Sequence, residues 1–107
     1  MNWEAMSADR ELLASIGDLA CAEHAAWAYR NKKRAALKSF YKEFTKTTGE
    51  WFDADDEIAN GDEDGYAAKF EKLKAESKEA QQALTKARSA TRRAIVRAAA
   101  EIGKAQL

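Results

Sequence analysis

The sequence has no proline among its 107 residues and only one cysteine. Because proline is absent, no residue forces a helix to stop, and helices of many turns are allowed. Because Cys21 stands alone, the chain forms no internal disulfide, which is typical of proteins from a reducing compartment such as the cytoplasm. β-Branched residues are also scarce, and their scarcity disfavours strands.

Long apolar runs are missing too. No segment approaches the roughly 18–20 apolar residues that a helix needs to cross a bilayer. The opening stretch MNWEAMSADRE has no basic region followed by an apolar one, so it does not resemble a secretory signal. These features predict a soluble, cytoplasmic protein without a membrane partner.

The residues that are abundant favour helices. Alanine occurs 24 times, and Ala, Glu, Lys, Leu and Arg together make up 60 of the 107 residues. That composition is typical of coiled coils and long helices. The net charge is zero, which argues against disorder, and the length predicts a single helical domain over residues 1–107.

Two long stretches repeat apolar residues at spacings of three and four. The first predicts a helix over residues 8–48, beginning after Ser7 and ending at Gly49. Its first apolar stripe, the predicted buried side, consists of Leu12, Ile16, Leu19, Ala20, Glu23, Trp27, Arg30, Arg34, Leu37, Tyr41 and Phe44. The second predicts a helix over residues 64–103. Residues 49–63 connect the two, with one short helical turn after Asp53 and a stop at Asn60-Gly61. An almost strict seven-residue repeat marks the buried side of the second helix: Phe70, Leu73, Ser77, Ala80, Leu84, Ala87, Thr91, Ala94, Ala98 and Ile102.

The matched lengths predict an all-α fold, a long antiparallel helical hairpin that is Ala-rich and coiled-coil-like. Facing residues are expected to have numbers that sum to 114, as in Leu37 with Ser77 and Trp27 with Ala87, where a large side chain meets a small one. Charge agrees with an antiparallel pairing. Residues 1–29 carry a net charge of −4, and residues 86–104 carry +5.

The first helix also carries a second apolar stripe, which one partner helix cannot cover. Self-association, most simply of two chains into a helical bundle, would cover it. A break near Asn31 that folds the first helix back into a three-helix bundle is the alternative. The second stripe consists of Leu19, Ala22, Ala26, Tyr29, Ala36 and Phe40.

Residues 50–64, the acidic segment, hold eight acidic side chains and no basic one. Aromatic residues among carboxylates predict a docking surface for a protein partner with a basic surface. A solvated loop, with its aromatic side chains packed on Phe44, Tyr66 and Phe70, explains the same residues. The candidate partner-binding residues are Glu50, Trp51, Phe52, Asp53, Asp55, Asp56, Glu57, Asp62, Glu63 and Asp64.

Two other groups invite a functional interpretation. The basic stretch of residues 30–42 could form a nucleic-acid-binding face, although a solvated helix face is the simpler interpretation. Cys21 and His24 share one helix face, but nucleophilic catalysis and zinc binding both need more partners than the sequence offers, so packing is expected.

Together these features predict a non-enzymatic interaction protein without a cofactor. An adaptor, or an inhibitor of the kind that phages and mobile elements encode against host complexes, fits this description. A nucleic-acid-associated helical protein is the alternative, and a calcium-binding hairpin is a third possibility.

The stretch NGDEDGYAAKFE, residues 60–71, raises the calcium alternative because it resembles an EF-hand loop. Asp62, Asp64, Gly65 and Glu71 match positions 3, 5, 6 and 12 of such a loop. Asn60 departs at position 1, where it removes a charge, and no second loop is present to brace the first. A capped acidic turn accounts for the same residues.

We therefore predict that residues 60–71 bind no calcium at physiological concentrations, because an unpaired loop with a reduced charge count loses affinity. Calorimetric titration of the chain with calcium measures this. A dissociation constant tighter than about 10⁻⁵ M, the range of calcium sensors, would contradict the prediction.

Overall fold

The computed structural model describes the backbone of residues 3–105 and the side chains of residues 8–104. It contains three helices, α1 (Trp3–Thr48), α2 (Ala54–Ala59) and α3 (Tyr66–Ala105). Within residues 3–105 there is no strand. α1 and α3 run antiparallel and pack against each other, so the predicted all-α helical hairpin is confirmed.

The helix bounds differ from the prediction mainly at the start of α1. This helix begins at Trp3, so Ser7 lies within it and does not precede its first residue. Nothing in the preceding residues breaks a helix, and no proline interrupts α1 anywhere. Because α1 continues without a break to Thr48, the alternative of a break near Asn31 is wrong.

Gly49 ends α1 as predicted. Its φ of 75° is a left-handed conformation that glycine adopts without the steric cost of a Cβ atom. Its N–H donates to the carbonyl of Thr45 at 2.7 Å, which satisfies one of the last carbonyls of the helix. The chain then turns into the acidic segment.

Contacts divide the chain into two compact units. The terminal unit consists of Met1–Trp27 and Ala83–Leu107 and pairs the first part of α1 with the last part of α3. The loop unit is Ala28–Gln82 and contains the rest of both helices, α2 and the acidic segment.

An aromatic cluster forms the core of the loop unit. Phe40 and Phe44 of α1 are 5% and 2% exposed. The ring of Phe44 lies 4.9 Å from that of Tyr66, and the ring of Phe40 lies 5.9 Å from that of Phe70. Phe52, from the acidic segment, is inserted among them at 4.9 Å from both Phe40 and Phe70. Rings at these separations gain stability beyond the burial of their area.

The core of the terminal unit is much thinner. Its buried residues on α3 are Leu84, Thr91 and Ala98, and Leu84 is completely buried. The Thr91 hydroxyl donates to the carbonyl of Ala87 at 3.0 Å, so its polar atom is satisfied inside the helix pair. Large apolar side chains remain on the surface of this unit, namely Leu13, Trp27, Ile95 and Val96.

The predicted buried side of α3 is confirmed, but that of α1 is partly wrong. All ten residues of the predicted repeat on α3 are buried or half-buried. On α1, Ala26 and Phe40 from the predicted second stripe take inner positions, whereas Trp27 and Tyr41 are 42% and 41% exposed. The less exposed side of α1 follows spacings of four and three: Leu12, Ile16, Leu19, Glu23, Ala26, Arg30, Lys33, Leu37, Phe40 and Phe44.

The register of the loop unit is shifted by about one helical turn from the predicted one. Phe44 meets Tyr66 and Phe40 meets Phe70, so facing numbers sum to 110 and not to 114. The prediction paired large residues with small ones. In the structure the aromatic rings pack on one another, and Phe52 fills the space between the helices beside them.

No helix within the described residues is long and apolar enough to span a membrane.

We predict that Leu84→Ala destabilises the protein by about 3 kcal/mol, because it removes a fully buried side chain and leaves a cavity. Val96→Ala on the same helix is the matched control. Val96 is 68% exposed, and its truncation should change the stability by less than about 0.5 kcal/mol. Urea unfolding followed by circular dichroism measures both, and equal losses would show that Leu84 does not hold the helix pair.

Candidate functional site

The acidic segment begins with a capped helical turn. The side chain of Asp53 accepts hydrogen bonds from the backbone N–H groups of Asp55 at 3.0 Å and Asp56 at 3.4 Å. Asp53 is thus the N-cap of α2, as predicted, and satisfies amides that the first turn leaves without partners. Asp55, Asp56 and Glu57 occupy that first turn, where negative charge is favourable.

A glycine turn ends α2. Gly61 has a φ of 90°, and its N–H donates to the carbonyl of Ile58 at 3.0 Å. The N–H of Asp62 reaches back to the carbonyl of Glu57 at 2.8 Å. This pair of bonds is the Schellman arrangement that closes helices. The predicted stop at Asn60-Gly61 is therefore confirmed.

Asp62 links this turn to the start of α3. Its two carboxylate oxygens accept from the N–H groups of Ala67 at 2.8 Å and Ala68 at 3.1 Å. Asp62 has a φ of 46°, a left-handed conformation that aspartate tolerates better than most residues. The structure thus makes Asp62 the cap of α3.

The resemblance to an EF-hand loop is not matched by a calcium-loop geometry. Both oxygens of Asp62 already bind amides of α3. α3 begins at Tyr66, so Glu71 lies within the helix and is exposed. Among the described residues, no group of three or more His, Cys, Asp or Glu side chains could hold a metal ion. That residues 60–71 bind no calcium at physiological concentrations stays a prediction.

The aromatic residues of the acidic segment divide into an inner and an outer set. Phe52 packs into the core, with its ring 5.1 Å from that of Phe44. Trp51 is 89% exposed and Ile58 is 60% exposed. Of the two aromatic side chains that the solvated-loop interpretation packs inward, Phe52 does so and Trp51 does not. Trp51 instead lines a shallow groove of about 380 Å³ with Tyr41, Lys42, Thr45 and Lys46.

The candidate binding residues divide in the same way. Phe52, Asp53 and Asp62 hold the segment in place, by ring packing or by capping. Glu57 is half-buried. The outward-facing members are a tryptophan and five carboxylates on one continuous stretch of chain: Glu50, Trp51, Asp55, Asp56, Glu63 and Asp64.

Part of the predicted basic face of residues 30–42 is turned toward α3. Arg30 and Arg34 donate to the side-chain oxygen of Gln81 at 3.0 and 3.1 Å. Lys33 forms an ion pair with Glu76 at 3.0 Å, and this bond lowers the pKa of Glu76 and raises the pKa of Lys33. These three cations are already engaged within the loop unit. Lys32, Lys38 and Lys42 are exposed.

Cys21 and His24 do not pack in the core, so that expectation is wrong. Both are exposed on α1 in the terminal unit. The imidazole of His24 stacks on the ring of Trp27 at 5.6 Å. The inner positions nearby belong to Glu23, from the first predicted stripe, and to Ala26, from the second.

α3 also carries a basic cluster, and the predicted hairpin sets the net negative charge of residues 1–29 beside it. Arg88, Arg92, Arg93 and Arg97 are exposed. Within residues 8–104, no acidic side chain forms an ion pair with any of these four arginines. The signal was the run of cations itself, from Lys86 to Arg97, without an acid in between.

Comparison with known proteins found no similarity. No family model matches the chain. No curated protein and no solved structure matches it significantly.

We predict that Asp62→Gly costs about 1 kcal/mol of stability, because it removes the carboxylate that accepts two hydrogen bonds from the first turn of α3. Glycine suits the positive φ at this position, so backbone strain does not add to the loss. Asp64→Gly is the control, since Asp64 is exposed. If thermal unfolding shows no difference between the two variants, the capping role of Asp62 is wrong.

Proposed function

We propose that this protein is a non-enzymatic interaction protein, an adaptor or an inhibitor, that binds a basic surface of another protein through its acidic segment. The observation that carries the proposal is the arrangement of residues 50–64. Phe52 anchors the segment in the core, while Trp51 and five carboxylates point outward. A fixed loop that presents charge and one large aromatic side chain suits macromolecular recognition.

Preorganisation supports this function. Two caps and the ring of Phe52 restrain the segment before any partner arrives. Binding therefore costs less conformational entropy than it would for a disordered acidic loop. Trp51 contributes a large contact area at low entropic cost, because its side chain has only two rotatable bonds.

Electrostatics support it as well. The segment carries a charge of −8 on a chain whose net charge is zero. Charge of one sign steers an oppositely charged surface into encounter, and the effect weakens as salt rises. The exposed carboxylates supply acceptors for arginine and lysine side chains of a partner.

The structure determines which residues a test should change. Asp53 and Asp62 cap helices, so their substitution would confuse loss of binding with loss of fold. Lys33 is paired with Glu76 and would be a poor control. The informative set is Asp55→Asn, Asp56→Asn and Asp64→Asn. The matched control is Lys32→Gln, Lys38→Gln and Lys78→Gln, all at exposed positions.

We predict that the aspartate set lowers the recovery of a defined protein from nuclease-treated lysate by immobilised chain, whereas the lysine set does not. The association rate of that protein with the native chain should fall as salt rises. Circular dichroism should show both variants to be as helical as the native chain.

The reverse outcome would replace this proposal. If the lysine set abolishes recovery and the aspartate set has no effect, the acidic segment is not the binding surface. Recovery of nucleic acid in place of protein, lost on nuclease treatment, would favour the alternative in which the exposed lysines of residues 30–42 bind phosphates.

A further inference from the structure

The terminal unit carries a surface of opposite charge to the acidic segment. Residues 86–97 of α3 contain five cationic side chains and no acidic one. Arg88, Arg92, Arg93 and Arg97 are exposed, and none of them has an ion-pair partner within residues 8–104. We call these four residues, together with Val96, the arginine face.

The arginines form two rows on the helix. Arg88 and Arg92 are four residues apart, as are Arg93 and Arg97, so each pair lies along one side of α3. Val96 lies between the rows and is 68% exposed. Arg92, Arg93, Val96, Arg97 and Ala100 line an open groove of about 530 Å³. An exposed apolar side chain between two rows of exposed arginines is a surface suited to an acidic, partly apolar ligand.

We propose that the arginine face binds the acidic segment of a second copy of this chain. This inference rests on the proposed function, because it names one basic surface that the segment recognises. This contact differs from the helical bundle that the apolar stripes of α1 led us to expect. The acidic segment places Trp51 and Ile58 among carboxylates, and the arginine face places Val96 among guanidinium groups.

The chemistry of the two surfaces is complementary. Guanidinium groups bind carboxylates through paired hydrogen bonds and stack on aromatic rings, tryptophan best of all. Asp55, Asp56 and Asp64 supply carboxylates, and Trp51 supplies the ring. The groove beside Val96 offers the ring an apolar floor between arginines.

Charge favours a second copy. Equal numbers of cationic and acidic residues, 18 of each, give the chain no net charge, so two copies attract through local surfaces without overall repulsion.

The test is a charge exchange between two triple variants. One carries Arg92→Glu, Arg93→Glu and Arg97→Glu, and the other carries Asp55→Lys, Asp56→Lys and Asp64→Lys. Sedimentation velocity over a range of concentrations should show self-association of the native chain. Each variant alone should associate at least about tenfold more weakly, because like charges then meet across the contact.

An equal mixture of the two variants should recover association. The lysine-bearing segment of the aspartate-reversed variant then complements the glutamate-bearing face of the arginine-reversed variant. The native acidic segment of the arginine-reversed variant likewise complements the native arginine face of the aspartate-reversed variant. Lys32→Gln, Lys38→Gln and Lys78→Gln together should leave association unchanged. Circular dichroism of every variant checks that the helices persist.

Three results would overturn the inference. In the first, the native chain stays monomeric at every concentration. In the second, either triple variant associates as well as the native chain does. In the third, the mixture of the two variants fails to recover association. Tight binding of a defined DNA duplex by the native chain, lost on arginine reversal while self-association is unaffected, would assign the arginine face to a polyanion instead.

The same variants separate this inference from the proposed function. If the arginine-reversed variant still recovers an external protein through its intact acidic segment while self-association is absent, the proposed function stands and the inference falls. If the aspartate-reversed variant retains both activities, both fall.

Discussion

The structure of the loop unit depends on the insertion of Phe52 between α1 and α3. Its ring contacts those of Phe40, Phe44 and Phe70, so one side chain from the connection joins both long helices. A connection without this anchor would be an acidic loop held only at its ends. With the anchor, the chain has a fixed path from Gly49 to α3, and the charges of the segment acquire defined positions. The register of the helix pair near the connection follows from the same packing of rings.

The acidic residues divide into two roles because of that fixed path. Asp53 and Asp62 accept hydrogen bonds from the amides at the starts of α2 and α3. Their neighbours Asp55, Asp56 and Asp64 have no capping position to fill and remain exposed. The capping aspartates stabilise the turn, and the exposed ones give it its charge. The resemblance to a calcium loop arises because Asp62 and Asp64 lie two residues apart, as ligands of such a loop do. Here Asp62 caps α3 instead.

Periodicity predicted much of this fold, because it encodes burial directly. The seven-residue repeat of α3 identified its buried side, and Gly49, Asp53 and Gly61 identified the ends of helices through their backbone and capping chemistry. The buried side of α1 was harder to predict, because its apolar residues form two adjacent stripes and only packing selects between Phe40 and Tyr41. The register could not be predicted either, since it depends on where Phe52 inserts from outside both helices. The arginine face was missed because a count of opposite charges does not show whether ion pairs form.

We infer that the acidic segment is folded in place before it meets a partner. Amide hydrogen exchange of the isolated chain, measured residue by residue by NMR, tests this most directly. The N–H groups of Asp62, Ala67 and Ala68 donate within the turn. We expect their exchange to be strongly slowed in the native chain and to approach the rate of an unfolded peptide in Phe52→Ala. Exchange at the unfolded rate in the native chain itself would contradict the account, because the segment would then be a disordered loop.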